Sequence, residues 1–269
     1  MCFLSTTKGV MTHMITLRRA KERRHVRRRK HEIWLTFYPR DRANPFADGF
    51  GALESLSEDR LPPGADVPIH PPRDAEIVTY VLEGTLAHED ATGRSSVIHA
   101  GEFQRMTAGR NVHHTETNAS RTDWAHIFQI WLLPSEAGLA PGREQKRFYA
   151  AERRGVLCIV ASPDGRNGSL RIHQDVVIFS AILEPGQHLV HEFARGRSAW
   201  LHVVRGEATF GDVILSTGDG AGIRSARSVS LTARMETEIL LLDLVEPPLK
   251  VASEAPLDAA MAAQTEERP

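Results

Sequence analysis

At 269 residues the chain can bury a substantial core, as one large or two small domains, without disulfide help. Its formal net charge of −1 excludes a global field aimed at nucleic acid or an anionic membrane. Cys2 and Cys158 are far apart and belong to no CxxC or Cys/His pair, which excludes a disulfide framework and makes a reducing, cytoplasmic setting the expectation.

In chain order, the opening MCFLSTTKGVMTH lacks the basic start and long apolar stretch of a signal peptide, so residues 1–13 are expected to be an extension outside the fold. No run of about 18 apolar residues offers a membrane span. Basic residues crowd the stretch from Arg18 to Lys30. A nucleic-acid arm would show aromatic interleaving or a recognition helix; neither is present, so a solvated strand and turn is favoured, with a protein partner as the other use of this edge.

Beyond it, short β-rich runs alternate with turn signals. They include Glu76 to Glu83 before Gly84, Ala125 to Leu133 before Pro134, Val176 to Leu183 before Pro185-Gly186, Ala199 to Val204 before Gly206, and Glu238 to Val245. Many short strands at such spacing predict an all-β sandwich or barrel. The halves echo each other: YVLEGTLAHED in the first has the shape of HVVRGEATFGD in the second, and each is followed by a Gly-centred turn, at Gly101 and Gly218. A tandem repeat of about one hundred residues predicts two barrels. The expected domains are 14–150 and 151–247, with residues 135–169 as linker and a loose tail over 248–269.

Two segments carry the chemistry. Gly64, His70, Glu76 and Gly84 fall in the frame G-x5-H-x-H-x3,4-E-x6-G, with one extra residue before the last glycine, and Gly101, Gly109, His114 and Asn118 fit a second frame, G…G…H-x3-N. The pair resembles the two motifs of the cupin superfamily, in the form used by pirins and their bacterial quercetinase-like relatives, and the likeness runs from about Met14 to Val245. The resemblance implies a bicupin, two tandem jelly-roll-type β-barrels, with the metal site in the first and a metal-free second barrel. It implies a ligand set of His-x-His from the first motif and His-x-Glu from the second. Carried across, these fall on His70, Pro72, His114 and Glu116, so one position has no donor atom. Glu76 is a further protein candidate for the gap.

Strand parity supports that grouping. Side chains at i and i+2 share a face, so His114 and Glu116 project together and His113 points away. Two imidazoles and one carboxylate are also the donor set of non-haem Fe(2+) sites. The cofactor expected is therefore Fe(2+) or another divalent transition metal, with a metal-free site as the alternative.

Three functions compete. The resemblance implies a dioxygenase of the quercetin 2,3-dioxygenase type, with a small enolic or aromatic substrate in the N-terminal barrel and His114 and Glu116 as catalytic residues. A metal-free cyclase or isomerase for a specialised metabolite would use the same two as acid or base. A non-enzymatic regulatory binding protein would need neither. His126 is expected to be a core histidine with a satisfied hydrogen bond. His188, His191 and His202 lack the ligand frame. Ser162, Asp164 and His173 have no nucleophile-elbow sequence around the serine.

Overall fold

The computed structural model describes residues 2–4, 14–38, 46, 49–68, 74–90, 93, 95–108 and 114–246. The first half contributes β1 (Cys2–Leu4), β2 (Met14–Arg18), β3 (Arg24–Arg28), β4 (His31–Leu35), β5 (Leu53–Leu61), β6 (Glu76–Glu83), β7 (Thr85–Asp90), β8 (Ser95–His99), β9 (Glu102–Thr107), β10 (His114–Asn118), β11 (Ala125–Leu132) and β12 (Gly142–Arg147). One helical turn, α1 (Ala150–Arg153), leads to β13 (Cys158–Ser162), β14 (Leu170–Arg171), β15 (Val176–Leu183), β16 (His188–Glu192) and β17 (Arg197–Arg205). The chain continues through β18 (Glu207–Phe210), β19 (Val213–Ser216), β20 (Gly220–Arg224), β21 (Ser228–Ala233) and β22 (Thr237–Val245).

Each half sets a large sheet over a small one. In the first, the order β12-β9-β6-β11-β5-β4-β3 faces β10-β7-β8; in the second, β1-β2-β20-β17-β22-β15-β13-β14 faces β16-β21-β18-β19. The chain is thus an all-β bicupin. β11 is buried along its whole length because both of its faces are covered. Ala125, Ile127 and Trp131 look into the first barrel, while Phe128, Ile130 and Leu132 join Ile178, Trp200, Leu240 and Leu242 in a core shared by the two halves. The two large sheets therefore pack against each other.

The repeat is visible in the turns. Gly84 follows β6 with φ +76° and Gly206 follows β17 with φ +95°. A Cβ on Gly84 would collide with the carbonyl oxygen of Trp124, just before β11, and one on Gly206 with that of Glu236, just before β22. Both positions need a left-handed backbone and a close approach of main chain, which only glycine supplies without strain.

Several buried polar groups at the seam between the halves are paired. Tyr80 donates to Glu238 at 2.5 Å, and Arg153 donates to Glu238 at 2.6 Å and to Ser180 at 3.0 Å. Arg23 donates to Glu58 at 2.6 Å, and His126 Nε2 lies 2.8 Å from the other Glu58 oxygen. Burial alone would raise the Glu58 pKa. The His126 hydrogen bond and the Arg23 charge outweigh it and bring it down to about 2.

Four strands differ from the sequence expectation, β1 among them because it falls in the expected extension 1–13. β2 pairs with β20 of the second half rather than within the first sheet, and β1 pairs with β2. An amphipathic strand does not announce its partner, and Gly220 and Gly222 leave β20 without side chains at two of its five positions. The expected linker 135–169 contains β12, paired with β9, and β13, paired with β15. β12 reads Gly-Arg-Glu-Gln-Lys-Arg because it is a solvent-facing edge, so no apolar alternation marks it. The expected tail 248–269 lies outside the described residues. Among the described residues, no helix is long and apolar enough to cross a membrane.

Candidate metal centre in the first barrel

The first barrel is apolar toward both ends and polar between them. Leu61, Val81, Leu86, Ile98, Ala125 and Ile127 pack one end; Ala75, Ile77, Met106, Ala108 and Trp131 pack the other. Between them the strand register lines up Ser57, Gln129, Thr79 and Gln104 across the large sheet. Facing this row on the small sheet, His88 of β7 stands directly opposite Glu116 of β10. All six side chains are buried.

Two hydrogen bonds join the two sheets here: Gln129 Nε2 donates to Glu116 Oε2 at 2.6 Å, and Gln104 Nε2 donates to Ser96 Oγ at 3.4 Å. His88 is 1% exposed. Its Nδ1 lies 3.7 Å from Glu116 Oε1, beyond hydrogen-bond reach, and has no hydrogen-bond partner. His114, two residues before Glu116 and on the same face, is half-buried. Its ring lies parallel to that of His88, with centroids 5.3 Å apart and planes 2° apart.

The second barrel shows that the fold does not require these polar groups. Counted from the matching glycines and followed through the strand register, Thr79 corresponds to Leu201, Gln129 to Leu241, Gln104 to Ala221, Ser57 to Phe179 and His88 to Phe210. Continuing the pairs Ala208–Ala233 and Thr209–Thr232 places Leu231 opposite Phe210, where the first barrel has Glu116. All six belong to the apolar core of the second barrel. Burying polar groups costs free energy unless they are bonded. The first barrel thus carries a polar belt where its twin is apolar, a contrast that the fold itself does not demand.

The residues expected from sequence fall as follows. His70 and Pro72 lie outside the described residues, as does His113. His114 and Glu116 share the inner face of β10. Glu76 points the other way, toward the seam: its carboxylate accepts from Thr107 Oγ1 at 3.0 Å and lies 2.9 Å from His173 Nδ1. His126 faces the seam as a bonded histidine. Ser162 donates to Asp164 at 2.9 Å while His173 is engaged by Glu76, so these three form no triad. His188 and His191 are taken by Thr232 and Asp243, at 2.9 and 2.8 Å. Among the described residues, no three His, Cys, Asp or Glu side chains form a ready-made cation cluster.

Sequence reasoning missed His88 and the role of Gln129. A usable signal existed for each. His88 alternates with Leu86 and Asp90 on the return strand after Gly84, so it shares the inward parity of Leu86. Gln129 is the one amide of β11 and the one polar residue on the face of that strand turned into the barrel.

An imidazole and a carboxylate on one face, with a second buried imidazole whose Nδ1 is orphaned beside them, is a donor set suited to a divalent transition metal. Comparison with known proteins agrees with the fold. Residues 18–132 match the family model for Pirin, and residues 159–244 match that of the quercetinase C-terminal cupin domain. The chain is 40% identical over 236 residues to the quercetin 2,3-dioxygenase of Escherichia coli (strain K12), covering 88% of this chain and 100% of that protein. It is 31% identical over 219 residues to a pirin-like protein of Caulobacter vibrioides, covering 81% and 92%. The crystal structure of the bacterial pirin YhhW from Escherichia coli in complex with nickel(II) superposes with a TM-score of 0.80 at 39% identity, covering 87% of this chain and 100% of that one. With its whole double-barrel body matched in this way, the chain belongs to the pirin family of the cupin superfamily.

Proposed function

We propose that the first barrel is the active site of an oxidoreductase of the quercetin 2,3-dioxygenase type. It acts on a small enolic or aromatic compound with a divalent transition metal, Fe(2+) or another, held by His114 and Glu116 with His70 as a further imidazole. The observation that carries this reading is the polar belt of the first barrel, set against apolar residues at the same six positions of the second. The relatives add to it: one is named for this reaction and another is a nickel(II) complex.

When bound, such a metal polarises an enol or phenol oxygen and lowers its proton affinity. The chain's own residues supply the rest. Glu116 is buried and has one oxygen fixed by Gln129; the other would face the metal and, once released from it, take the substrate hydroxyl proton. Ile77, Met106 and Trp131 give the neighbouring end of the barrel an apolar wall for a flat ring and keep water from it. With Pro72 at one ligand position of the family pattern, the site has an imidazole fewer than that pattern supplies.

The test is dioxygen uptake by the metal-loaded full chain with quercetin, read beside the loss of flavonol absorbance. Turnover that Glu116→Gln and His114→Ala each reduce at least about 100-fold is expected. No dioxygen uptake by the metal-loaded wild type with quercetin or related enols overturns the proposal.

A further inference from the structure

The geometry points to His88 as a metal ligand of this chain, taking over the imidazole that the proline at position 72 cannot provide. The inference rests on the metal-binding reading above and names a residue outside the ligand frame of the two motifs. Four observations carry it.

First, His88 is buried with an unsatisfied ring nitrogen. Leaving such a polar atom unpaired is destabilising, and a bound cation would supply its missing partner. Second, that nitrogen is aimed at Glu116, 3.7 Å from Oε1. Two donors each about 2.1 Å from one cation lie roughly 3.0–3.6 Å apart, so a small rotation brings this pair to coordination distance. Third, His88 and His114 project from paired strands on one face, with parallel rings. Their Cα positions are set by the register, and side-chain rotation alone is needed to converge the donors. Fourth, the twin position in the second barrel is Phe210, packed in an apolar core. The fold accepts a large apolar side chain there, so packing does not explain a histidine.

His88, His114 and Glu116 together make a two-imidazole, one-carboxylate set, the composition of the facial triads that hold divalent iron and leave positions open to substrate. Asp90, opposite His114 in the register, lies one pair further along the same face.

The test is titration of the metal-stripped full chain with Ni(II), comparing wild type with His114→Ala, His88→Gln and His88→Phe. The phenylalanine copies what the second barrel tolerates. The expected result is one equivalent bound by wild type, with at least about tenfold weaker binding in all three variants and unchanged circular dichroism. Proton NMR of the Co(II)-loaded protein distinguishes a ligand from a supporting residue. A hyperfine-shifted imidazole N–H is expected in wild type and is lost in the His88 variants. Wild-type affinity in the folded His88 variants, or a Co(II) spectrum of wild type with no imidazole resonance beyond those of His70 and His114, overturns the assignment of His88 and leaves the metal reading standing. No Ni(II) binding by the wild type overturns both.

Discussion

Gln129 and Glu116 lie on opposite sheets of the first barrel and are joined by a 2.6 Å hydrogen bond between buried side chains. The amide fixes Oε2 of this carboxylate and leaves Oε1 on the side of His88.

Replacing Gln129 with leucine, the residue that stands at this place in the second barrel as Leu241, removes that donor and leaves a buried carboxylate short of a partner. Gln129→Leu is expected to lose about 1–3 kcal/mol of stability in urea titration. Its Ni(II) affinity is expected to fall about 10–100-fold, because a group that orients a ligand is lost. Unchanged affinity would mean that Glu116 is held by other means.

The paired glycines make a second prediction. Gly84→Ala and Gly206→Ala each place a Cβ against a carbonyl oxygen at a left-handed backbone position. Each is expected to cost at least about 1–3 kcal/mol in a thermal or urea melt. Alanine at Gly186, where a Cβ meets open space, carries the left-handed backbone penalty alone and should be the milder change.

His202 predicts a pH dependence. It is fully buried on the seam-facing side of β17, neither ring nitrogen has a hydrogen-bond partner, and its ring stands edge-on to Phe128. Burial, followed by the nearby Arg23 charge, depresses its pKa to about 3 against the opposing pull of Glu58. A histidine whose folded pKa is lowered stabilises fully above its ordinary value near 6.5 and loses that contribution as pH falls toward 3. In His202→Leu this loss disappears. The variant should therefore gain about 2 kcal/mol relative to wild type on going from pH 8 to pH 5, read from urea midpoints. Parallel pH profiles for the two proteins would show that His202 titrates normally.

Much of the double barrel was legible because its central strands are covered on both faces. Runs such as Ala125 to Leu132 and Val176 to Leu183 are mostly apolar, buried throughout and bounded by turns. Gly84 and Gly206 exposed the repeat because a steric requirement at the same point of each half leaves one residue type. β12 was hidden by its exposure, and the partner of β2 is a long-range choice that local pattern does not encode. In the site, strand parity placed His114 with Glu116, since both sit on one strand. His88 needed the cross-strand register, which brings β7 beside β10 and is invisible in either segment alone. Glu76, a candidate for the vacant ligand position, instead turns its side chain on β6 to the seam, to Thr107 and His173.

Crystals of the full chain loaded with Ni(II), measured at the nickel absorption edge, decide whether the belt of the first barrel holds a divalent metal. The prediction is a single strong anomalous peak in the first barrel, contacted by His114 and Glu116. A first barrel without anomalous density, or a peak lodged between Glu76 and His173 at the seam, would contradict it.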